Sequence, residues 1–172
     1  DNPAEIQTID IVHDSEAGHI TLTNGPFLEV SAKAGDVEAI PGDDLAASNG
    51  EVTLDVHVEC ANWLDIDRVQ VLVNGRADEE YNFTRSKTPQ LFQDGVVKFE
   101  HSIPVKVEKD SHLIVVAVHE TKTVGPVMGP EWGKELIGAC ANPVYVDVDG
   151  GGFQPNGDTL DHPLPVKGGQ PK

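Results

Sequence analysis

The sequence predicts an all-β fold, an antiparallel β-sandwich with Greek-key, immunoglobulin-like connections, long loops and a glycine-rich acidic loop near its C-terminal end. Two observations lead to this prediction. Short stretches of alternating apolar and polar residues recur about every dozen residues, separated by Gly, Pro, Asn and Asp. Convincing helical periodicity is missing almost everywhere.

The first sixteen residues are expected to be an N-terminal extension or a linker from an upstream domain. Within them, "PAEIQTIDIVHD" begins with a proline suited to a first helical turn but is rich in β-branched residues, so helix and strand both remain open. The sandwich itself is expected over residues 17–160. Residues 161–172 are rich in Pro and Gly and are expected to be extended or disordered.

The predicted strands follow in chain order. "HITLTNG" and "PFLEVSA" are the first two, and "EVTLDVHVEC" alternates cleanly as a half-buried strand. "DRVQVLVNGR" is a strand ending in an Asn74-Gly75 hairpin turn. "VVKFEHSIPVKVE" alternates with Pro104 on its outer side, which indicates an edge or a bulge. "SHLIVVAVHE" is apolar on both sides, as in a central strand covered on each face, and "NPVYVDV" is the last strand. The segments "AIPGDDLAASNG" and "ADEEYNFTRSKTPQLFQDG" are predicted to be long loops.

Composition limits the classes of partner. Twelve Lys and Arg against 29 Asp and Glu give a formal net charge of −17, which disfavours nucleic acids and anionic membranes and favours cations. No apolar run is long enough to span a membrane. Cys60 and Cys140 are compatible with one disulfide or with two buried thiols. We expect an extracytoplasmic location, periplasmic or secreted; the oligomeric state stays open.

The stretch "DVDGGGFQPNGD" has the spacing of a calcium loop. Asp147 stands at position 1, Asp149 at position 3, Gly152 at position 6, Phe153 at position 7 through its carbonyl, and Asp158 at position 12. Position 5 is Gly151, so Asn156 or water would complete the ligand set. The alternative is a glycine-rich turn whose aspartates bond backbone N–H groups. The matched spacing favours Ca²⁺ as a structural cofactor, held by Asp147, Asp149, Phe153, Asn156 and Asp158.

Catalytic motifs are not evident. The seven histidines form no HxH, HExxH or HxxxH pair, and no GxSxG motif is present. Trp63 and Trp132 occupy loop-like contexts and could form a platform for stacking a ligand; packing as plugs at the ends of the sandwich is the alternative. The sequence therefore predicts a chain that is not an enzyme by itself.

Three segments resemble one family. "AGHITLTNGPFLEV", "NWLDIDRVQVLVNGR" and "NPVYVDVDGGGFQPNGD" are similar, in that order, to the C-terminal β-sandwich region of CehA/McbA-type metallohydrolases of the PHP (polymerase and histidinol phosphatase) superfamily. The resemblance covers residues from about 17 to 160, and the family has DGDG where this chain has Gly150-Gly151-Gly152.

The resemblance implies a non-catalytic accessory domain whose partner is an upstream, metal-dependent catalytic domain of the same polypeptide. Those enzymes hydrolyse phosphoester, ester or carbamate bonds through His and Asp residues in a barrel domain, and none of those motifs occurs in this chain. The alternative function is a free-standing extracellular module for calcium-dependent adhesion or carbohydrate binding.

Overall fold

The alternating residues form two β-sheets that pack face to face, as predicted. The structure, a computed structural model, describes residues 3–162. The larger sheet contains seven strands: β1 (Thr21–Thr23), β4 (Asp44–Ala46), β6 (Arg68–Val73), β7 (Arg76–Thr84), β9 (Ser111–Thr123), β10 (Leu136–Ala141) and β11 (Val144–Asp147). The smaller sheet contains four: β2 (Phe27–Ala34), β3 (Val37–Ala39), β5 (Glu51–Glu59) and β8 (Val97–Lys106).

Strand pairing is antiparallel except at one edge. The smaller sheet has the order β3-β2-β5-β8. In the larger sheet β9 is central. On one side it pairs with β6, which in turn pairs with β7. On its other side it pairs with β11 near its start and with β10 near its end. β1 pairs with β10, and β4 runs parallel to β11.

The core lies between the two sheets and is aliphatic with a small aromatic group. Every second residue of β5, from Val52 to Val58, is buried. Every second residue of β9, from Ser111 to Ala117, is buried in the same way. Phe99 is fully buried and packs edge-on against Phe92. The period-two pattern of the sequence is thus the burial pattern of the strands.

Several expectations change at the sheet edges. Residues 77–84, predicted to be part of a loop, belong to strand β7, because the Asn74-Gly75 turn folds them back onto β6. The other predicted loop contains β4. The β9 strand is central, but its outer side, including Ile114 and Val116, is only partly buried, so the prediction that it is covered on both faces is wrong. Pro104 does lie on an edge strand, since β8 pairs with β5 alone among the named strands.

The N-terminal segment is helical. A short 3₁₀ turn, Pro3–Glu5, precedes helix α1 (Thr8–Ala17), which begins with a capping box between Gln7 and Asp10 and ends at Gly18 in the left-handed conformation. Two 3₁₀ turns (Pro89–Leu91 and Pro126–Met128) and the one-turn helix α2 (Gly129–Trp132) lie in connections. The predicted extended tail lies outside the described residues apart from Asp161 and His162.

The connections divide the sandwich into two ends. Residues 24–26, 60–67, 85–96 and 124–135 meet at one end, here the loop end. The Asn74-Gly75 turn, residues 107–110 and the acidic loop after Asp147 meet at the other, the hairpin end. Within the described part of the chain, no helix has the length and apolar character to cross a membrane.

Candidate metal centre

Asp147 is the point at which the last strand turns into the acidic loop. Its side chain is largely buried, with the residue 9 % exposed. Oδ1 accepts a hydrogen bond from the backbone N–H of Gly150 (2.8 Å), and Oδ2 accepts one from Gly152 (2.9 Å). Gly150 and Gly152 both have positive φ (80° and 85°), which allows the loop to wrap around this carboxylate.

Three carboxylates meet at the hairpin end. Asp110, Asp147 and Asp149 each present an oxygen within 4.8 Å of the others. Asp110 accepts hydrogen bonds from the backbone N–H groups of Val148 and Gln154, both at 2.9 Å, and these bonds lower the pKa of its carboxyl group. The cluster therefore joins the turn before β9 to the loop after β11, and it presents hard oxygen ligands of the kind that Ca²⁺ prefers.

Asp110 is the residue that sequence reasoning missed. It is 37 positions before Asp147, but β9 and β11 are antiparallel neighbours in which Ser111 lies opposite Val146. That register places the residue preceding β9 beside the residue that ends β11. A correct pairing of the two predicted strands would have identified it.

Of the other predicted ligands, Phe153 and Asn156 lie close to the cluster. The Phe153 ring packs on Tyr145, with centroids 4.9 Å apart, and edge-on against His112 at 6.5 Å. Asn156 lines a cleft of about 320 Å³ together with Asp110 and Asp149. Its Oδ1 accepts a hydrogen bond from the backbone N–H of Asp158 (2.8 Å). Lys109 lines the same cleft and adds a positive charge there.

Asp158 is paired with an arginine. Its carboxylate accepts two hydrogen bonds from Arg76, from Nε at 2.6 Å and from Nη2 at 2.9 Å. Arg76 also donates to Asp161 (3.1 Å). The guanidinium group lowers the pKa of Asp158 to about 2. Asp158, the predicted position-12 ligand, is not one of the three clustered carboxylates, and its pairing with Arg76 attaches the C-terminal segment to β7.

The two tryptophans lie at the opposite end of the molecule. Trp63 is in the connection between β5 and β6, and Trp132 is the last residue of α2. They are 68 % and 67 % exposed, so neither is a core plug. Further apolar side chains are exposed at the same loop end, namely Phe27, Val96, Val127, Met128 and Leu136.

A polar cleft at the loop end contains residue types used in hydrolysis. It is lined by Ser86, Asp67 and His119, among others. His119 Nδ1 accepts hydrogen bonds from the backbone N–H groups of Thr121 and Lys122 (3.3 and 3.0 Å), so this nitrogen has no proton to donate to Asp67, 3.4 Å away. This geometry differs from a catalytic triad, in which the carboxylate accepts that proton.

Both cysteines are free thiols. Cys60 is buried at the loop end of the core, where desolvation raises the pKa of its thiol to about 11. Cys140 lies on β10, and burial also raises the pKa of its thiol. Both shifts disfavour the reactive thiolate at neutral pH.

Comparison with known proteins identifies no relative: no protein-family model, curated protein or solved structure matches the chain.

Proposed function

We propose that the chain is a non-catalytic β-sandwich module that binds one Ca²⁺ at Asp110, Asp147 and Asp149. The observation that carries this proposal is the convergence of three carboxylates, from two separate turns, within 4.8 Å of one another. None of the three forms an ion pair with a described residue. A divalent cation would balance this concentration of negative charge.

The donor set suits calcium. Ca²⁺ takes six to eight oxygen ligands in flexible geometry, whereas Mg²⁺ demands a strict octahedron. Three carboxylates, the Phe153 carbonyl, the Asn156 side chain and water are a set of the right chemical kind. Because the Asp147 oxygens already accept backbone hydrogen bonds, the loop is arranged around this residue before any ion binds.

Calcium at this position would have a structural role. The ion would link residues 107–110, before β9, to the loop that follows β11. Its binding energy would stabilise the hairpin end and hold the C-terminal segment on the sheet.

We further propose that the module is the accessory C-terminal region of a metal-dependent hydrolase of the PHP superfamily. Each of the three segments that resemble this family forms part of the sandwich or its turns: residues 17–30 include β1, residues 62–76 include β6, and residues 142–158 include β11. The two sheets, antiparallel except where β4 runs parallel to β11, support the sandwich architecture of such a region. The catalytic domain would lie upstream in the same polypeptide.

Thermal unfolding tests the calcium site. The midpoint should rise when millimolar Ca²⁺ replaces a chelator, because the ion binds only the native state. Asp149→Asn should remove the rise while keeping an oxygen acceptor for Gly151. Asp158→Asn is the matched control, and its unfolding midpoint should still rise with Ca²⁺. A midpoint that does not respond to Ca²⁺ would exclude the site.

The non-catalytic role has a separate test. The purified chain should not hydrolyse p-nitrophenyl phosphate or p-nitrophenyl esters, with or without divalent metal. The proposal would be overturned by metal-dependent hydrolysis that persists after the protein has been purified again and that is lost in a variant of this chain.

A carbohydrate-binding module is the second candidate. It is favoured by the exposure of both tryptophans on connections at the same end of the sandwich. Indole rings provide the flat apolar surfaces on which sugar rings stack. Binding to a glycan array that is lost in Trp63→Ala would support this candidate over the accessory role.

A further inference from the structure

Four asparagines of this chain precede a glycine, the context in which an asparagine side chain is chemically least stable. They are Asn24, Asn49, Asn74 and Asn156. A glycine has no side chain to obstruct its backbone nitrogen, and this nitrogen can attack the carbonyl carbon of the preceding asparagine amide. Because the four pairs consist of the same two residue types, the structure around each pair decides which of them reacts.

Deamidation at such a pair begins with ring closure between the asparagine side chain and the glycine nitrogen. The glycine N–H must lose its proton to solvent, so it must not be donating to an oxygen of the protein. The amide group of the asparagine must also be free to turn towards that nitrogen. Every hydrogen bond that has to break first lowers the population of the reactive conformer and slows the reaction.

Asn24 is held by strand β10. Its Nδ2 donates to the carbonyl oxygen of Leu136 (2.7 Å), and its Oδ1 accepts a hydrogen bond from the backbone N–H of Gly138 (2.8 Å). The N–H of Gly25 donates to Oγ1 of Thr23 at 3.0 Å. Three hydrogen bonds therefore have to break before this pair can react.

Asn74 is held by strand β9. Its Nδ2 donates to Oγ of Ser111, and its Oδ1 accepts a hydrogen bond from the backbone N–H of His112, both at 3.1 Å. The following Gly75 lies against Leu160, whose methyl groups would be 3.1 Å from an added Cβ. The amide is thus fixed at both ends in a turn that has little room to rearrange.

Asn49 has a free carbonyl geometry but an occupied nucleophile. Its Oδ1 accepts a hydrogen bond from the N–H of Glu51 (3.0 Å), and its Nδ2 donates to the carboxylate of the same residue (3.2 Å). The N–H of Gly50 donates to the carbonyl oxygen of Ala47 at 2.7 Å. An added Cβ on Gly50 would overlap the carbonyl oxygen of Val107, so the backbone lies too close to that residue to turn.

Asn156 lacks these restraints. Both Asn156 and Gly157 are exposed, and no residue in the described part of the chain accepts a hydrogen bond from Nδ2 of Asn156 or from the N–H of Gly157. Open space surrounds Gly157, because an added Cβ would meet nothing within 4 Å.

The one hydrogen bond of the Asn156 amide favours the reaction. Oδ1 accepts it from the backbone N–H of Asp158, at 2.8 Å, which closes a turn over Gly157. Ring closure does not require this bond to break. The N–H of Asp158 polarises the amide carbonyl, and it stabilises the negative charge that develops on Oδ1 when the carbon is attacked.

We propose that Asn156 is the site at which the folded chain deamidates. The nitrogen of Gly157 gives its proton to a base in solvent and bonds to Cγ of Asn156. The bond from Cγ to the amide nitrogen then breaks, and this nitrogen takes up a proton and leaves as ammonia. Water opens the resulting cyclic imide at one of its two carbonyl carbons, which gives aspartate or isoaspartate at position 156. Water is the only co-reactant, and the reaction does not depend on calcium.

The product would change the cleft beside the acidic loop. Asn156 lines this cleft together with Asp110 and Asp149, so the new carboxylate adds a negative charge next to theirs. Calcium affinity rises with the number of charged ligands. Asn156→Asp should therefore bind Ca²⁺ more tightly than the wild type, an effect that rests on the proposed calcium site. Equal affinities, or no binding by either protein, would overturn this effect, whereas the deamidation rates test the reaction separately.

Peptide mass spectrometry of the whole chain, kept in mildly alkaline buffer and sampled over time, measures the rate at each asparagine. Conversion of Asn156 should be at least about tenfold faster than at the other three sites, because at least two hydrogen bonds have to break at each of those. Asn156→Gln should abolish the fastest phase of ammonia release, since glutamine must close a larger ring. Asn49→Gln is the matched control and should retain that phase.

Unfolding the chain in guanidinium chloride separates the effect of the fold from that of the sequence. The four pairs should then react at similar rates, because they share the same two residue types. The proposal would be overturned if the four sites react alike in the folded chain, or if Asn24, Asn49 or Asn74 reacts first. It would also be overturned if the spread of rates is the same in the folded and unfolded chains.

Discussion

Arg76 and Asp158 form a two-point ion pair, with Nε and Nη2 of the arginine donating to the two carboxylate oxygens at 2.6 and 2.9 Å. This pair joins the first residue of β7 to the C-terminal segment, 82 positions later. Leu160 follows the pair and lies against the Asn74-Gly75 turn, since a Cβ on Gly75 would meet its methyl groups at 3.1 Å. The C-terminal segment is thus attached to the sheet at two places, by Asp147 at its start and by Arg76 near its end.

Acid should detach the end of this segment within a defined pH range. Because Arg76 lowers the pKa of Asp158 to about 2, below its unfolded value of 3.8, the pair stabilises the attached state above about pH 4. That contribution is lost as the pH falls towards 2. Protection of the amides of residues 158–162 against hydrogen exchange, relative to an unstructured chain at the same pH, should decrease over this range and should already be low in Arg76→Ala at neutral pH. Equal exchange in both proteins at pH 6 would contradict the attachment.

Gly50 is required by a close backbone approach. It has φ of 67°, and a Cβ there would overlap the carbonyl oxygen of Val107. Gly50→Ala should therefore lower the free energy of unfolding by more than about 3 kcal/mol, from strain and steric overlap together. Gly35→Ala, with φ of 59° but open space around the Cβ, should cost only about 1 kcal/mol. Urea unfolding measures the free energy lost in each variant. Equal losses would show that the backbone near Val107 moves to make room for the added Cβ.

The exposed tryptophans should contribute little to stability. Trp63→Ala and Trp132→Ala should each change the free energy of unfolding by less than about 0.5 kcal/mol, because both side chains are largely in solvent. Phe99→Ala is the comparison in the core and should cost about 3–5 kcal/mol. A large decrease in the free energy of unfolding of either tryptophan variant would mean that the indole packs against the sandwich.

The sequence predicted the long strands that have a clear apolar face, and it missed the edge strand β7 and the three-residue strands β3 and β4. In β5 the alternation is visible because Val52 to Val58 line the core. In β7 the residues Asp78, Glu79 and Glu80 are exposed on an edge strand, so no apolar alternation distinguishes it from a loop. Its strand conformation comes from pairing with β6.

The candidate site shows the same limit. Asp147 and Asp149 are neighbours in sequence, and their loop spacing is a local signal. Asp110 lies beside them only because β9 pairs with β11. Asp158 is paired with Arg76 instead. Local spacing could identify the loop but could not specify which distant charges the fold brings to it.

Calorimetric titration of the chelated protein with Ca²⁺ tests the central claim most directly. The wild-type chain should bind one ion, Asp110→Asn and Asp149→Asn should each abolish or severely weaken binding, and Asp158→Asn should bind as the wild type does. Loss of binding in Asp110→Asn is the decisive result, since only the folded pairing of β9 with β11 brings Asp110 to the loop. Absence of calcium binding by the wild type, or binding that depends on Asp158 and not on Asp110, would contradict the account.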